Sequence, residues 1–474
     1  MNTARPSGDG DPARGREVWL LPAAVFGLVL AAQLLLVARA GTDIPFLDQW
    51  DVEGRLAYPA WRDGTWQVRD FFQPHNEHRI LWTRLLNLAL FTANGQWDPL
   101  VQLAAGALLR AAGAAGLAGL LARGAGGAGR SLVAAGVVLA YLPQLAWQNA
   151  LWGFQSSVYF VLGFSLAALA LLGDPARSWR RQAAGLAAGI AALLAMGAGA
   201  FVPVALLGLR GLQAVEQRRF DWAWWRATGP ALGLLALAWA WRAEVPAHAA
   251  LRAATVGQFG NAFARALAWP HTWQPAAALV LNLPLGLAVT ARLAGWRRAG
   301  ADEDFVLLLG GWAVLAAGAM AWTRGGGHEF DVGVPSRYAD FLVLLPIANT
   351  ACAVGLARSA AARGSRLAPP VAWAWGAFLF AGWLGLSAQA LRGLILPRMR
   401  DRDAPVRLAV AFQRSDDAGV FAGQPLMLVP HPQPASVRVV LADPRMRGAL
   451  PPSLQPGQPL GPLSLAVRAL LGRQ

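Results

Sequence analysis

Long apolar segments alternate with short polar ones along almost the whole chain. Runs of about 20 apolar residues match a helix that crosses the hydrocarbon core of a bilayer. The pattern predicts about eleven such helices, over residues 18–38, 99–122, 131–147, 157–173, 183–196, 199–212, 228–242, 275–291, 305–322, 338–357 and 370–390. The stretch 80–94 is apolar but short and contains Arg84. It reads as an amphipathic helix lying at the interface rather than spanning. Past residue 390 proline and charge rise. Residues 391–474 read as a small, loop-rich extramembrane appendage, with a short helix within 436–447. The expected fold is an all-α polytopic membrane protein: a tail 1–17, a transmembrane domain 18–390 with a long first external loop 39–98 that carries interfacial helices, and the appendage.

Charge orients these spans. Arg123 and Arg130 flank one connector, and Arg177, Arg180 and Arg181 sit in another. Arg210, Arg218, Arg219 and Arg226 mark a third, Arg297 and Arg298 a fourth, and Arg358, Arg363 and Arg366 a fifth. Arginine-rich connectors belong in the cytoplasm. Two of them flank 183–212, so both ends of that stretch can be cytoplasmic only if it crosses twice. Met196-Gly197-Ala198-Gly199-Ala200 supplies the turn, since glycine tolerates tight backbone geometry. A single tilted helix is the competing reading and would invert everything downstream. With the hairpin, the N-terminus is cytoplasmic and the C-terminus external. The outer face then receives 39–98, 148–156, 243–274, 323–337 and the tail. Arg5, Arg14 and Arg16 precede the first apolar run, and Ala38-Arg39-Ala40 resembles a signal cleavage site. The run 18–38 is long for a signal core and reads as a retained helix, with a cleaved signal as the alternative.

Composition agrees. The 474 residues are 56% hydrophobic and 14% charged, far less charged than a soluble domain. The net charge of +15 would suggest nucleic acid, but there is no lysine and the arginines cluster between apolar spans. That distribution points to a bilayer as partner, with no nucleic acid. The single cysteine, Cys352, lies in an apolar run and reads as a small buried hydrophobe.

The chemistry concentrates in 43–84. Asp43, Asp48, Asp51, Glu53, Asp63, Asp70 and Glu77 are joined there by His75, His78 and Arg79, with Trp50, Trp61, Trp66 and Trp82 interleaved. Asp48, about ten residues past the first span, suits a general base acting on an acceptor hydroxyl. As a solvated loop acid it would be ordinary. His75-Asn76-Glu77-His78-Arg79 would put two histidines within reach of one metal if helical, but its spacing is not that of the zinc proteases. Phosphate or sugar contact suits Arg79 and the histidines better. No cofactor is firmly implied, and a divalent metal is left open. A second polar cluster, Arg324, His328, Glu329, Asp331 and Arg337, lies in the glycine-rich loop 323–337 on the same face. Interfacial snorkelling would account for its arginines too. Gln148, Asn149 and Gln155 could meet a sugar hydroxyl. Few ionisable groups lie at span centres, Arg110 being the main exception, which weighs against an ion-coupled transporter.

The first 125 residues resemble the opening of the GT-C membrane glycosyltransferases, such as the protein O-mannosyltransferases, the lipid A aminoarabinose transferases and the Rgt-type enzymes. Asp48 takes the place of the family's early external aspartate. Gly64-Thr65-Trp66 takes that of its turn, 75–79 that of its basic segment and 81–91 that of its short helix. Arg110 falls where family members often carry an arginine, and Ser336-Arg337-Tyr338 looks like the Arg-Tyr segment after a late external loop. The chain departs from the pattern at Gln49, where the family often has a second acid; Asp51 is the nearest substitute. His75-Asn76-Glu77-His78 also replaces a Lys-Pro-Pro or His-Pro-Pro element. The resemblance implies a polyprenyl-phosphate-linked sugar donor, an envelope glycan or lipid acceptor, and inverting transfer on the periplasmic face of a bacterial inner membrane. Asp48, with Asp51, would be catalytic. Glu77, His75, His78, Arg79, Arg324, His328 and Arg337 would bind substrate, with the cations on the leaving phosphate. A transporter or flippase, or a non-catalytic assembly partner, are the competing readings.

Overall fold

The computed structural model describes residues 12–123, 127–296, 300–331 and 333–473. Arg5, Arg297 and Arg298 lie outside the described residues. Apart from a two-residue hairpin, the regular structure among the described residues is helical. Helices suit an apolar chain in lipid, because each satisfies its own backbone polar groups.

Among the described residues, seven helices are long and apolar enough to cross a membrane: Leu20–Ala40, Pro99–Leu121, Gly153–Leu172, Gly197–Gln217, Ala301–Arg324, Ser336–Ala362 and Ala368–Arg400. They define a multi-pass helical membrane protein. The other expected spans fall on shorter or interrupted helices. Gly127–Tyr141 and Trp179–Leu193 have 15 residues each, and Trp222–Ala240 carries Arg226 in its first turns. The stretch 275–291 breaks at Asn282, between Ala277–Leu281 and Leu283–Leu293. Pro284 follows the break and has no N–H to offer. Asn282 Nδ2 donates to the Leu267 and Ala278 carbonyls, and Asn349 Oδ1 accepts the Leu285 N–H at 3.0 Å. Side chains thus re-satisfy the interrupted helix.

The chain reverses at 194–200. The Leu194 carbonyl accepts from Leu81 N, and Gly197 N donates to His78 Nδ1 at 3.3 Å, so the turn meets the long loop. Farther along, Arg210 donates to the carbonyls of Leu172 (2.6 Å) and Gly173 (3.0 Å) at the opposite end. Trp179–Leu193 and Phe201–Gln217 are therefore two separate helices running in opposite senses. Gly199 permits the turn, since a Cβ there would collide with the Ala192 backbone.

Two polar ends result. One carries Arg210, Gln213, Glu216, Arg292 and Asp304, joined by ion pairs of 2.7 and 2.5 Å at Arg292. The other carries the long loop, residues 147–155, 246–251 and 323–338, and the tail. The tail differs from the sequence expectation of an appendage, because it shares a core with the loop. Trp50, Tyr58, Leu88, Phe91 and Trp97 pack with Phe412, Phe421, Val437, Val440 and Met446. Helix Leu81–Asn94 turns Leu81, Arg84, Leu88 and Phe91 inward at helical spacing. Asp43 accepts from the Ser453 hydroxyl at 2.8 Å and pairs with Arg468 at 3.2 Å. Arg473 donates to the carbonyls of Val37, Ala38 and Gly41, capping the first helix. Loop and tail close on each other because each has an apolar face that the other covers.

Candidate functional site

The site begins with the tight turn at 46–50. Leu47 adopts φ 47°, a left-handed conformation rare for its type, and its N–H donates to the Pro430 carbonyl of the tail at 2.8 Å. Such strain persists only where the surroundings enforce it. The turn sets Asp48 and Asp51 on one partly exposed edge of the following wide helical turn, Trp50–Ala57. Asp48 Oδ2 lies 3.6 Å from His75 Nε2. Asp51 Oδ2 lies 3.1 Å from His431 Nε2. The His431 hydrogen bond holds the Asp51 carboxyl below its usual range, with help from Ser436 and Arg55 against the cost of burial. Burial pulls His431 down, but Asp51, the Gln433 carbonyl and Asp48 outweigh it and raise its proton affinity. Two carboxylates three residues apart thus sit in different surroundings, each beside an imidazole.

Residues 74–79 form a tight hairpin, with His75 opposite His78 and Asn76 at φ 49°. The hairpin is not the helical arrangement that a two-histidine metal site would need. The hairpin instead sends its side chains to four places. His75 faces Asp48 and sits edge-on to Phe154. Glu77 Oε1 accepts from His248 Nδ1 at 2.5 Å and lies 3.6 Å from Arg324. Burial pushes Glu77 up, but His248 and Arg324 carry it below its ordinary value. His78 is driven down by burial and accepts from Gly197 N. Arg79 is spent on the carbonyls of Phe72 (2.6 Å) and Trp241 (3.3 Å). Among the described residues no group of three or more His, Cys, Asp or Glu is placed to hold a metal ion.

Residues 147–155 bridge to the late loop. Phe154 touches His75, and Trp152 packs on Phe46. Gln148 Oε1 accepts from Arg337 N at 3.0 Å, and Asn149 Nδ2 donates to the Arg337 carbonyl at 2.9 Å. Arg337 pairs with Glu329 and lies over the Tyr338 ring, 4.8 Å from its centroid. Asn149 also donates to Asp340, which forms a buried 3.0 Å pair with Arg110. Asp48, Asp51, His75, Glu77, Arg324 and Arg337 therefore share one end of the molecule. His328 does not join them; it is fully exposed and pairs with Asp331 at 2.9 Å.

Sequence reasoning missed His431, His248, Asp340 and the role of Glu53. A faint signal existed for the histidines, since the chain has only six. Glu53 is buried; its carboxylate accepts from Asn87 (2.5 Å), Gln102 (2.9 Å) and Gln49 (3.3 Å). Burial raises it to about 7 despite these donors. It joins the turn below Asp48 to the start of Pro99–Leu121.

No protein-family model matches the chain, and neither a curated protein nor a solved structure is similar to it. Its class rests on its own features: a multi-pass helical membrane protein with an acid–histidine cluster at one polar end.

Proposed function

We propose that the chain is an inverting, GT-C-like membrane glycosyltransferase. It moves a sugar from a polyprenyl-phosphate donor to an envelope glycan or lipid acceptor on the periplasmic face of a bacterial inner membrane. The observation that carries the reading is the unequal pair Asp48 and Asp51. Carboxylates whose surroundings set them apart mark out separate roles. Asp51 is committed to His431 and makes a poor base. Asp48 is partly exposed, and among the described residues its one ion-pair partner is His75, which leaves its carboxylate open to an acceptor hydroxyl. In the proposed step an acceptor hydroxyl gives its proton to Asp48 as its oxygen bonds to the anomeric carbon. The bond from that carbon to the phosphate oxygen breaks, and the electron pair leaves with the polyprenyl phosphate. Arg337, with Arg324 beside Glu77, supplies positive charge for the leaving anion. Eleven crossings follow if the four shorter helical stretches also span. The arginine-rich end then faces the cytoplasm and the cluster faces the periplasm.

One observation favours a second reading, a transporter or flippase. The Arg110–Asp340 pair is buried between helices, as charges on transport paths are. Transfer from a polyprenyl-phosphate sugar in membranes, with expression matched, separates the two. Asp48→Asn should lower transfer by about 10²–10⁴-fold, and Asp51→Asn should be milder. Full activity in both variants ends the catalytic reading, and lipid flipping that persists in Asp48→Asn without any transfer by the wild type supports the second.

A further inference from the structure

A large apolar groove plays no part in this site. It lies between Gly127–Tyr141 on one side and Leu344–Ala362 with Ala368–Ala390 on the other, and has a volume of about 1160 Å³. Small-molecule sites usually measure about 300–1,000 Å³, so this groove suits something longer. Its walls include Leu132, Leu139, Val354 and Phe380, all exposed. A Cβ at Gly136 or Gly376, both in the lining, would meet nothing within 4 Å. Ala368–Arg400 is barely covered by the rest of the chain. A sideways-open apolar groove in a bilayer leaves its lining without partner atoms unless hydrocarbon enters it.

The rim is polar at one end only. Asp302 opens Ala301–Arg324, and Arg358 and Ser359 lie near the end of Leu344–Ala362. This is the end that carries Arg292, Glu216 and Asp304, opposite the Asp48 cluster. Arg292 also lines the groove, but its charge is committed to Glu216 and Asp304. Neither Asp302 nor Arg358 forms an ion pair with another described residue. Trp373, strongly exposed, stands near the start of its helix at the same rim, where interfacial tryptophans sit. Besides the committed Arg292, the rim thus offers the Arg358 cation, the Ser359 hydroxyl and the Asp302 carboxylate, with Glu303 beside it, above an apolar channel.

We propose that this groove holds one zwitterionic aminophospholipid of the bilayer, with its phosphate on Arg358, its ammonium on Asp302 and its acyl chains between Gly127–Tyr141 and Ala368–Ala390. A headgroup of net negative charge would gain Arg358 but meet repulsion from Asp302. The sugar donor is a different molecule, because its phosphate would react at the opposite end. The assignment therefore stands apart from the glycosyltransferase reading.

Native mass spectrometry of the full-length chain, with equal phosphatidylethanolamine and phosphatidylglycerol in the detergent, tests it. The wild type should retain one phosphatidylethanolamine in preference by about three- to fivefold, the scale of one partly exposed ion pair. Asp302→Asn should abolish the preference, and Arg358→Gln should weaken retention of both lipids. Gly136→Leu with Gly376→Leu should fill the groove and release the lipid. Equal retention of the two lipids by the wild type, or an unchanged preference in Asp302→Asn, would overturn the headgroup assignment. Undiminished retention in the filled variant, with wild-type thermal stability, would overturn the groove. Should the filled variant not fold, undiminished retention in Arg358→Gln overturns the site.

Discussion

Asp51 and Glu53 stand two residues apart and are tuned in opposite directions. A histidine holds the first ionised; burial among amides raises the second from 4.5 to about 7. The sign for stability follows. Below about 4.5 Glu53 is protonated in both folded and unfolded chains, and its contribution is complete. As pH rises towards 7 the unfolded chain gives up the proton and the folded one keeps it, so stability falls, by on the order of 3 kcal/mol once both are ionised. The wild type should melt at a higher temperature at pH 5 than at pH 8, and Glu53→Gln should flatten that dependence. A dependence of equal slope in the variant would remove Glu53 as its source. At Arg337 the prediction concerns transfer. Arg337→Ala should lower kcat/KM by about 10²-fold. Arg337→Lys should not restore it, because an ammonium lacks the planar fork that grips phosphate and stacks on Tyr338. Wild-type kinetics in the alanine variant would take Arg337 out of the site. Asp48, Asp51 and Arg337 were legible because polar residues in an apolar chain stand out locally. His431 beside Asp51 and His248 beside Glu77 were not, since only the folded chain brings them near.

Among elements, the stretch 179–217 shows what sequence can and cannot fix. Two arginine-rich connectors around 183–212 required a reversal, and glycines at 197 and 199 offered the place for it. The chain does turn there, against the hairpin at 74–79. Adding one methyl at Gly199 should cost about 1–3 kcal/mol, since backbone rather than a yielding side chain stands in its way. A Gly199→Ala variant as stable as the wild type in a detergent melt would show that the turn is looser than described. The sequence left the conformation of the histidine segment open, because its spacing suits a helix and a hairpin alike. Asn76, able to take a left-handed conformation, tips it to the hairpin. The interruption at Asn282 was also hidden, because its hydropathy is outweighed by the leucines around it.

At the scale of the whole molecule, the separation into two polar ends followed from the arginines, and the structure places the arginine network at 210–216 and 292–304 opposite the long loop. A reporter fused after Gly300 should read as cytoplasmic and one at Gln474 as periplasmic. A cytoplasmic signal at Gln474 would remove the eleven-crossing topology. The tail's docking was not legible. Mixed polarity in 391–474 says that the segment leaves the membrane, but its partner is a surface formed by residues far earlier in the chain.

That docking has a consequence for the order of assembly. The hydrophobic face of residues 43–98 emerges from the ribosome early, while the helices that cover it, Ala404–Ser415 and Pro434–Ala442, are made only after the membrane helices. Through the synthesis of everything between, the loop stands uncovered, and such surface invites misassociation. Because His431 and Pro430 arrive with the tail, Asp51 stays without its imidazole, and the turn at Leu47 without its anchor, until residues 430–431 have been made. The acid–histidine arrangement is thus complete only once residues 430–431 and the first loop meet on the same side of the membrane.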